Sequence, residues 1–333
     1  MEFWRRKKEK ETVRSFLSLT TAMEFWRRKS KERKCFLKNG SMFLEKLIAD
    51  CNGISNPIRM FSSHQISKAT NHFDPNYLHP ELASLTSYWG FTFYKGVIDS
   101  RSYTIKKFSE SWSKDEEEEE RIYNDIVLSA RVSNHNGFLK LMGCCLEFPL
   151  PVMVFEDLEY KAMNHLGNVG SLDGPVLPWN VRLKIGREVA IAITYLHTAF
   201  PRIIIHRDIK PKENIMGTYG YVDPFYMATG FLTASSDVFS FGILMLVLLI
   251  GKPAVLDKSY GELDFGNRIL DYVKDLQQRG EPIEFGGDSN DMRPGQMKMF
   301  LDLALRCCEE RNEDRPKMIL VAKQIKLIEQ ASL

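Results

Sequence analysis

The sequence predicts an α+β protein in which β-strands come first and α-helices follow. Two stretches rich in aromatic and β-branched residues, Tyr88–Ile98 and Ser102–Phe108, read as strands joined by a turn at Asp99–Ser100. The later half carries long apolar patterns typical of helices, and the strongest is Ser236–Gly251. Because a chain of 333 residues can bury a large core, it is long enough for two lobes.

The composition is that of a soluble globular protein, with 44% hydrophobic and 26% charged residues. The net charge of +2 gives no indication of a nucleic-acid partner. The six cysteines include two adjacent pairs but no C-x-x-C spacing, so we predict no metal site. The longest apolar run, Ile243–Ile250, is far shorter than the about 20 residues of a membrane span. We therefore expect a cytoplasmic protein.

Positive charge is concentrated near the start of the chain. Residues 1–38 hold 13 Lys or Arg and 5 Asp or Glu, and the heptapeptide MEFWRRK occurs at Met1–Lys7 and again at Met23–Lys29. A single repeat does not indicate a solenoid, and it suggests Met23 as an alternative start. Glu2 excludes N-myristoylation from the first start site. We interpret residues 1–40 as a basic, disordered arm: a solvated tail is the favoured reading, and contact with an anionic membrane is the alternative.

The other elements follow from local signals in chain order. A helix is predicted at Met42–Asp50, and a second at Phe61–Ala69, where Ser62 can cap the first turn. Six consecutive acids at Asp115–Glu120 precede a helical pattern and interact favourably with its macrodipole, so they require no partner. The remaining predictions are a helix at Ile122–Val132, a strand at Val152–Glu156, and helices at Pro178–His197, Arg268–Gln278, Gln296–Cys307 and Met318–Glu329.

The most informative short motif is His206-Arg207-Asp208-Ile209-Lys210, which follows the predicted helix that ends at His197. It resembles the catalytic loop of protein kinases, in which the aspartate accepts the proton of the substrate hydroxyl and the lysine neutralises the transferred phosphoryl group. The resemblance implies catalytic positions at Asp208 and Lys210 and structural roles for His206 and Arg207.

Further motifs occur in the order found in protein kinases. Tyr103–Lys106 is similar to the strand that presents the ATP-binding lysine, here Lys106. Asp237 corresponds to the aspartate that holds the catalytic loop, and Arg315 to a structural arginine late in the chain. The other matching segments are Tyr94–Gly96, Gly143–Glu147 and Gly217–Pro224. The resemblance implies a bilobal kinase fold over residues 61–333, with an N-lobe at about 73–156 and a C-lobe at about 157–333.

The phosphate-binding loop departs from the kinase pattern. Its three glycine positions fall on Thr86, Tyr88 and Phe91, and bulky side chains there would fill the space that phosphates need. The helix glutamate that pairs with the lysine has no clean match. Asp125 is the nearest candidate, and a pair with Lys106 and a solvated carboxylate are equally good readings. We therefore expect ATP and magnesium to bind weakly at most, and predict no cofactor.

The magnesium-binding segment departs further. Asn214 lies one residue late, and Glu213 stands in its place, where its carboxylate could itself hold a metal ion. Only Ile215 and Met216 separate Asn214 from the Gly217 segment. The D-F-G motif and the activation segment are therefore absent, through a genuine deletion, a skipped exon or a flawed gene prediction. Removing one electrostatic stabiliser typically lowers a rate about 10²–10³-fold, so the sequence does not predict phosphoryl transfer.

The segment Gly137–Pro149 and the glycine-poor loop resemble immune-adaptor pseudokinases among plant receptor-like cytoplasmic kinases. The resemblance implies an inactive adaptor in innate immune signalling, with a nucleotide-binding leucine-rich-repeat receptor and other receptor-like cytoplasmic kinases as partners. It also implies a cytoplasmic protein, with peripheral plasma-membrane contact through the basic arm. Two alternatives are a degenerate serine/threonine kinase that keeps Lys106, Asp208 and Lys210, and a non-functional, unstable product.

Overall fold

A computed structural model describes residues 2–51, 58–82, 90–110, 116–157, 163–169, 177–210, 220–256, 268–287 and 291–331, with side chains of the first helix described from Met23 to Ala49. The chain divides into two compact units, Met1–Leu158 and Glu159–Leu333. The first contains the β-sheet and the second is helical in its described part, so the predicted α+β order is confirmed.

The elements of the first unit are helix α1 (Glu2–Cys51), β1 (Arg59–Met60), α2 (Ser63–Ala69), β2 (Phe91–Ile98), β3 (Arg101–Phe108), α3 (Glu116–Val132), β4 (Leu141–Cys145) and β5 (Val152–Glu156). In the described part of this unit, the five strands form one mixed sheet in the order β1-β4-β5-β3-β2. Strand β1 runs parallel to β4, and the other neighbours are antiparallel.

The predicted hairpin forms between β2 and β3. Asp99 and Ser100 both have positive φ, 49° and 63°, which is the backbone conformation of tight hairpin turns whose twist matches that of the strands. The register pairs Phe93 of β2 with Lys106, and Lys106 with Met153 of β5. Lys106 is therefore carried by a strand that has neighbours on both sides, which restricts its backbone.

Helix α1 differs from the predicted disordered arm, because its later part is anchored to the first unit. Asn39 is fully buried: its Nδ2 donates to the carbonyl oxygens of Leu146 at 2.8 Å and Phe148 at 2.9 Å, and its Oδ1 accepts from the hydroxyl of Tyr123 at 2.7 Å. Burial raises the pKa of Tyr123, and nearby Glu119 raises it further. These partners lie far along the chain, so composition alone did not reveal them.

The acidic run and the basic segment meet in the structure. Lys38 of α1 lies 2.7 Å from Glu119 of α3, and Lys46 pairs with Glu120. The prediction that the acidic run requires no partner is therefore wrong for these two glutamates. Each exposed pair contributes little free energy, about 0–1 kcal/mol, but the pairs add charge complementarity to the buried contacts of Asn39.

The second unit is built around one apolar helix. Every residue from Ser236 to Ile250 is buried, and the core that surrounds this helix includes Trp179, Leu183 and Phe300. The helices are α4 (Trp179–Thr198), α5 (Pro224–Thr229), α6 (Ala234–Ile250), α7 (Ile269–Arg279), α8 (Pro294–Cys307) and α9 (Met318–Gln330). Among the described residues, no helix combines the length and the apolar character needed to cross a bilayer.

A buried arginine stabilises the carboxyl end of α6. Arg182 of α4 donates to the carbonyl oxygens of Leu248 at 2.8 Å and Gly286 at 2.6 Å. Burial lowers the pKa of Arg182 to about 10, which still leaves the guanidinium charged at neutral pH. A cation at a helix carboxyl terminus interacts favourably with the macrodipole, so Arg182 satisfies carbonyl groups that the helix itself leaves unpaired.

Candidate functional site

Lys106 in the first unit forms an ion pair with Asp125. Its Nζ lies 2.6 Å from Asp125 Oδ2, and the lysine side chain is only 12% exposed. Asp125 is held in turn by Ser129, whose hydroxyl donates to Asp125 Oδ1 at 3.2 Å. Of the two alternatives for Asp125, an ion pair with Lys106 and a solvated carboxylate, the structure shows the ion pair. The lysine lies on a strand and the carboxylate on the adjacent helix, with the shorter Asp in place of Glu.

Aromatic rings cover the other side of the same ammonium group. Lys106 Nζ lies 4.0 Å from the centroid of Phe91 and 4.9 Å from that of Phe108, both within cation–π distance. Phe91 packs edge to face against Phe108 and Phe93, so its position is fixed by the core of the sheet. Phe91 is the third of the predicted glycine positions, and its ring lies against the lysine that would bind phosphate. The other two, Thr86 and Tyr88, lie outside the described residues.

In the second unit, Asp237 holds the His-Arg-Asp loop through its backbone. Asp237 Oδ2 accepts from the amide of His206 at 2.8 Å, and Oδ1 accepts from the amide of Arg207 at 2.9 Å. His197 Nε2 lies 2.8 Å from Oδ2, and Asp237 itself is 1% exposed. Asp237 stands in the first turn of α6, where the macrodipole favours a negative charge.

The backbone of the loop turns sharply at Arg207, whose φ is 71°. The side chains of His206 and Arg207 are exposed, so the loop is held by their amide groups. Beyond the turn, Lys210 Nζ lies 3.1 Å from Asp208 Oδ1, which is shielded from solvent. The Asp208 side chain is 38% exposed, so the carboxylate remains accessible although one oxygen is engaged.

Arg315 finds a carboxylate that the sequence analysis did not assign to it. Its Nη2 lies 2.9 Å from Asp223 Oδ1, and both side chains are at most 1% exposed. Asp223 Oδ1 also accepts from the backbone amide of Phe225, and its Oδ2 accepts from the hydroxyl of Ser236. Asp223 thus supplies the carboxylate that compensates the buried guanidinium of Arg315.

The residues present do not fit a magnesium–nucleotide complex of the kinase type. In the sequence, the first acidic residue after Asn214 is Asp223, which is buried in its pair with Arg315. Glu213 and Asn214 lie outside the described residues. In the described part of the chain, no three His, Cys, Asp or Glu side chains cluster closely enough to hold a metal ion. The ring of Phe91 lies 4.0 Å from the ammonium that would bind phosphate.

Sequence reasoning missed the roles of His197, Asp223 and Asn39. The sequence analysis treats His197 only as the end of a predicted helix. Its position shortly before the His-Arg-Asp loop is the signal that could have indicated its role beside that loop. Asp223 precedes Pro224, a pairing typical of a helix start, and it does cap α5. Asn39 gave no local signal, because all its partners come from distant segments.

Comparison with known proteins places these motifs in a family context. The protein kinase domain profile matches residues 92–217. Serine/threonine-protein kinase ZRK1 of Arabidopsis thaliana is 47% identical over 90% of this chain and 93% of its own length. Non-functional pseudokinase ZRK2 of the same plant is 44% identical, over 90% of this chain and 91% of its own. Non-functional pseudokinase ZED1, also from that plant, is 40% identical over 91% and 98%. Similar relatives therefore bear both kinase and pseudokinase names.

Proposed function

The chain belongs to the ZRK/ZED1 family of protein kinases and pseudokinases, which has the bilobal α+β protein kinase fold, and from this premise we propose that it is a catalytically inactive pseudokinase and a protein-binding adaptor. Kinase catalysis depends on positioning and on charge neutralisation of the nucleotide phosphates. The proposal rests on how this chain uses the carboxylates and the lysine that would perform those tasks.

The observation that carries the proposal is the position of Asp223. No acidic residue separates Asn214 from Asp223, and Asp223 is buried in an ion pair with Arg315 while it caps α5. A carboxylate that compensates a buried guanidinium is not free to bind a metal ion, because its release would leave Arg315 as an uncompensated buried charge. Beyond Asn214, where the kinase pattern places the carboxylate for the main magnesium ion, the first acidic residue is thus already engaged with Arg315.

The environment of Lys106 supports the same conclusion. In a kinase, glycine backbone N–H groups approach the phosphates, whereas here the ring of Phe91 lies 4.0 Å from the lysine ammonium. A nucleotide phosphate would have to displace an aromatic ring that packs into the sheet core, so we expect weak ATP binding at most.

The chain retains the structural contacts of a kinase catalytic loop, whereas its glycine-rich loop and magnesium-binding segment depart from the kinase pattern. Asp237 orders the loop at His206 and Arg207 through backbone hydrogen bonds that need no nucleotide. Such a rigid scaffold is suited to protein binding. Following the resemblance in Gly137–Pro149, we propose a cytoplasmic adaptor in plant innate immune signalling, with peripheral plasma-membrane contact. Its partners are a nucleotide-binding leucine-rich-repeat receptor and other receptor-like cytoplasmic kinases.

A phosphoryl-transfer assay tests the catalytic half of the proposal. Purified full-length chain is incubated with radiolabelled ATP and either magnesium or manganese, beside Asp208→Asn and the matched control Asp302→Asn, an exposed aspartate on α8. We expect all three to incorporate no label above background. Label in the unmodified and Asp302→Asn proteins that disappears in Asp208→Asn would overturn the proposal.

A reconstitution tests the adaptor half. The chain is mixed with the leucine-rich-repeat region of a candidate receptor and with a receptor-like cytoplasmic kinase, and complexes are separated by size-exclusion chromatography. We expect a complex that forms equally well with Asp208→Asn, since binding does not require catalysis. Failure to bind any receptor or kinase in a representative set would contradict the adaptor function while leaving the inactivity result unaffected.

A second candidate function is a weak serine/threonine kinase. It is favoured by the 2.6 Å Lys106–Asp125 pair, by the accessible Asp208 next to Lys210, and by the kinase name of ZRK1. Thermal-shift measurements with ATP, with and without magnesium, distinguish the two functions. A magnesium-dependent rise in melting temperature, lost in Lys106→Ala, is expected for the kinase and not for the adaptor.

A further inference from the structure

The segment Met23–Lys38 of α1 presents large apolar side chains to solvent. Every residue from Met23 to Lys31 is exposed, and the contacts of the helix with distant segments include Glu32, whose Oε1 accepts from the hydroxyl of Ser63 at 3.0 Å, and the buried Asn39. Phe25 is 55% exposed and Trp26 70%, and the two rings pack edge to face with centroids 6.0 Å apart. Two adjacent exposed aromatic residues are unfavourable in water unless another surface covers them.

The same segment is strongly basic. It contains seven Lys or Arg and two Glu, a net charge of +5. Two of these cations have ion-pair partners: Arg28 pairs with Glu32 and Lys38 with Glu119. Among the described residues, the other five have no carboxylate within ion-pair distance: Arg27, Lys29, Lys31, Arg33 and Lys34. The segment therefore carries a surplus of positive charge beside its exposed rings.

Helical geometry separates the two kinds of side chain. At about 100° per residue, Phe25, Trp26, Phe36 and Leu37 fall within an arc of about 120°. Four cations lie on the adjoining side of the helix, namely Arg27, Lys31, Lys34 and Lys38. Lys29 and Arg33 fall inside the apolar arc, where their long stems can follow apolar surface while the charges reach water.

We propose, in an inference that rests on the peripheral membrane contact of the proposed function, that the Met23–Lys38 segment of α1 lies on the surface of an anionic bilayer, with Phe25 and Trp26 at the headgroup boundary. Helices that bind in the plane of a membrane combine aromatic and aliphatic residues on one side with Lys and Arg on the other. Trp is favoured at that boundary because its ring is both apolar and able to donate a hydrogen bond. The surplus cations match the negative charge of the cytoplasmic leaflet.

Vesicle co-sedimentation tests this proposal with the full-length chain. The probes are phosphatidylcholine vesicles, and vesicles with about a third of phosphatidylserine. We expect binding to the anionic vesicles, weakened by raised salt, and at least about tenfold weaker binding to the neutral ones, since each cation near the surface contributes a factor of roughly five. The triple variant Arg27→Glu, Lys31→Glu, Lys34→Glu should weaken anionic binding on the order of a hundredfold.

The aromatic contribution is tested separately. Phe25→Ser with Trp26→Ser should weaken anionic binding about tenfold or more. A blue shift in tryptophan fluorescence on adding anionic vesicles should be smaller in Trp26→Phe than in the unmodified protein. Matched controls on α9 change exposed residues of the same kinds, Leu320→Ser with Leu327→Ser and Lys323→Glu with Lys326→Glu, and should retain binding. Circular dichroism and size-exclusion chromatography verify that every variant is folded.

Three outcomes would overturn the membrane proposal. They are no binding to anionic vesicles, equal binding to both vesicle types, and binding that the α1 variants and the α9 controls weaken alike. Tighter binding of the segment to a nucleic-acid oligonucleotide or to a protein partner, with no vesicle binding, would likewise contradict it. These results would also contradict the peripheral membrane contact in the proposed function, but none bears on the phosphoryl-transfer assay or the reconstitution, so the inactivity and the adaptor role fail separately.

Discussion

At the scale of single residues, two buried carboxylates of the second unit have different tasks. Asp237 accepts from two successive backbone amides and contacts His197, so it determines the path of the chain at His206. Asp223 compensates the charge of Arg315 and caps α5. Both tasks are structural, and each leads to a stability prediction that does not depend on catalysis.

Asp237→Asn should lower the free energy of unfolding by about 2 kcal/mol. An amide keeps one acceptor but turns an NH₂ group toward a backbone amide, and hydrogen bonds to a charged acceptor are the stronger kind. Urea unfolding followed by circular dichroism measures the change. Asp302→Asn, at an exposed position, is the control and should stay within about 0.5 kcal/mol of the unmodified protein. Equal stability of the two variants would show that Asp237 is not required for the loop.

Asp223→Asn should be more destabilising, by about 3–5 kcal/mol, because it leaves Arg315 buried without a countercharge. The double variant with Arg315→Met should be less destabilised than the sum of the two single variants, by more than about 1 kcal/mol. Urea unfolding of all four proteins provides this double-mutant cycle. Simple additivity of the two changes would contradict a direct Asp223–Arg315 pair.

At the scale of elements, the buried side chain of Asn39 anchors α1 to the sheet unit, together with Met42 and Phe43, which pack against the core of that unit. Its amide group satisfies two carbonyls in the segment after β4 and accepts from Tyr123 of α3, so one side chain connects three parts of the fold. A buried polar group of this kind is favourable only while all its partners are present.

Asn39→Ala should therefore lower the free energy of unfolding by about 2–4 kcal/mol and release α1 locally. Tyr123→Phe removes a single hydrogen bond and should have a smaller effect, about 1 kcal/mol. Hydrogen exchange over residues 35–46 measures the local release. Lys38→Ala breaks only an exposed ion pair and serves as the control. Unchanged exchange in Asn39→Ala would mean that other contacts hold the helix.

At the scale of the whole molecule, the buried thiols make stability depend on alkaline pH. Burial raises the pKa of Cys144, Cys145 and Cys307 from about 9 to about 12, and that of Cys308 well above its ordinary value. Above pH 9 these thiols ionise in the unfolded chain but stay protonated in the folded one. The unfolded state is then favoured, so their contribution to stability is complete below pH 9 and is lost as pH rises toward 12.

Between pH 8 and 10, each of these thiols should account for a loss of roughly 1 kcal/mol. Replacing Cys307 and Cys308 together by Ala should therefore make the loss of unfolding free energy between pH 8 and 10 smaller by about twice the contribution of one thiol. This difference does not depend on how the double variant changes the stability at pH 8. Urea unfolding at several pH values up to 10 measures this. Measurements stop at pH 10 because burial lowers the pKa of Arg182 to about 10. Above that pH the guanidinium loses its proton in the folded state first, which changes the pH dependence of stability in the opposite direction. Cys35→Ala, at a half-exposed thiol, is the control. An unchanged pH slope in the double variant would contradict the prediction.

The sequence by itself determined the order of elements, the hairpin turn at Asp99 and Ser100, the apolar helix α6 and the His-Arg-Asp loop. These features depend on short-range patterns: turn chemistry, periodicity of apolar residues and motif spacing. The absence of an acidic residue between Asn214 and Asp223 was likewise readable directly from the residues.

Only the tertiary structure decided which distant groups meet. It brings Asn39 into contact with Leu146 and Phe148, pairs Arg315 with Asp223, and places the ring of Phe91 next to the ammonium of Lys106. Such contacts join residues whose separation along the chain carries no local signal. They form because buried polar and charged groups must find partners wherever the folded chain brings them together.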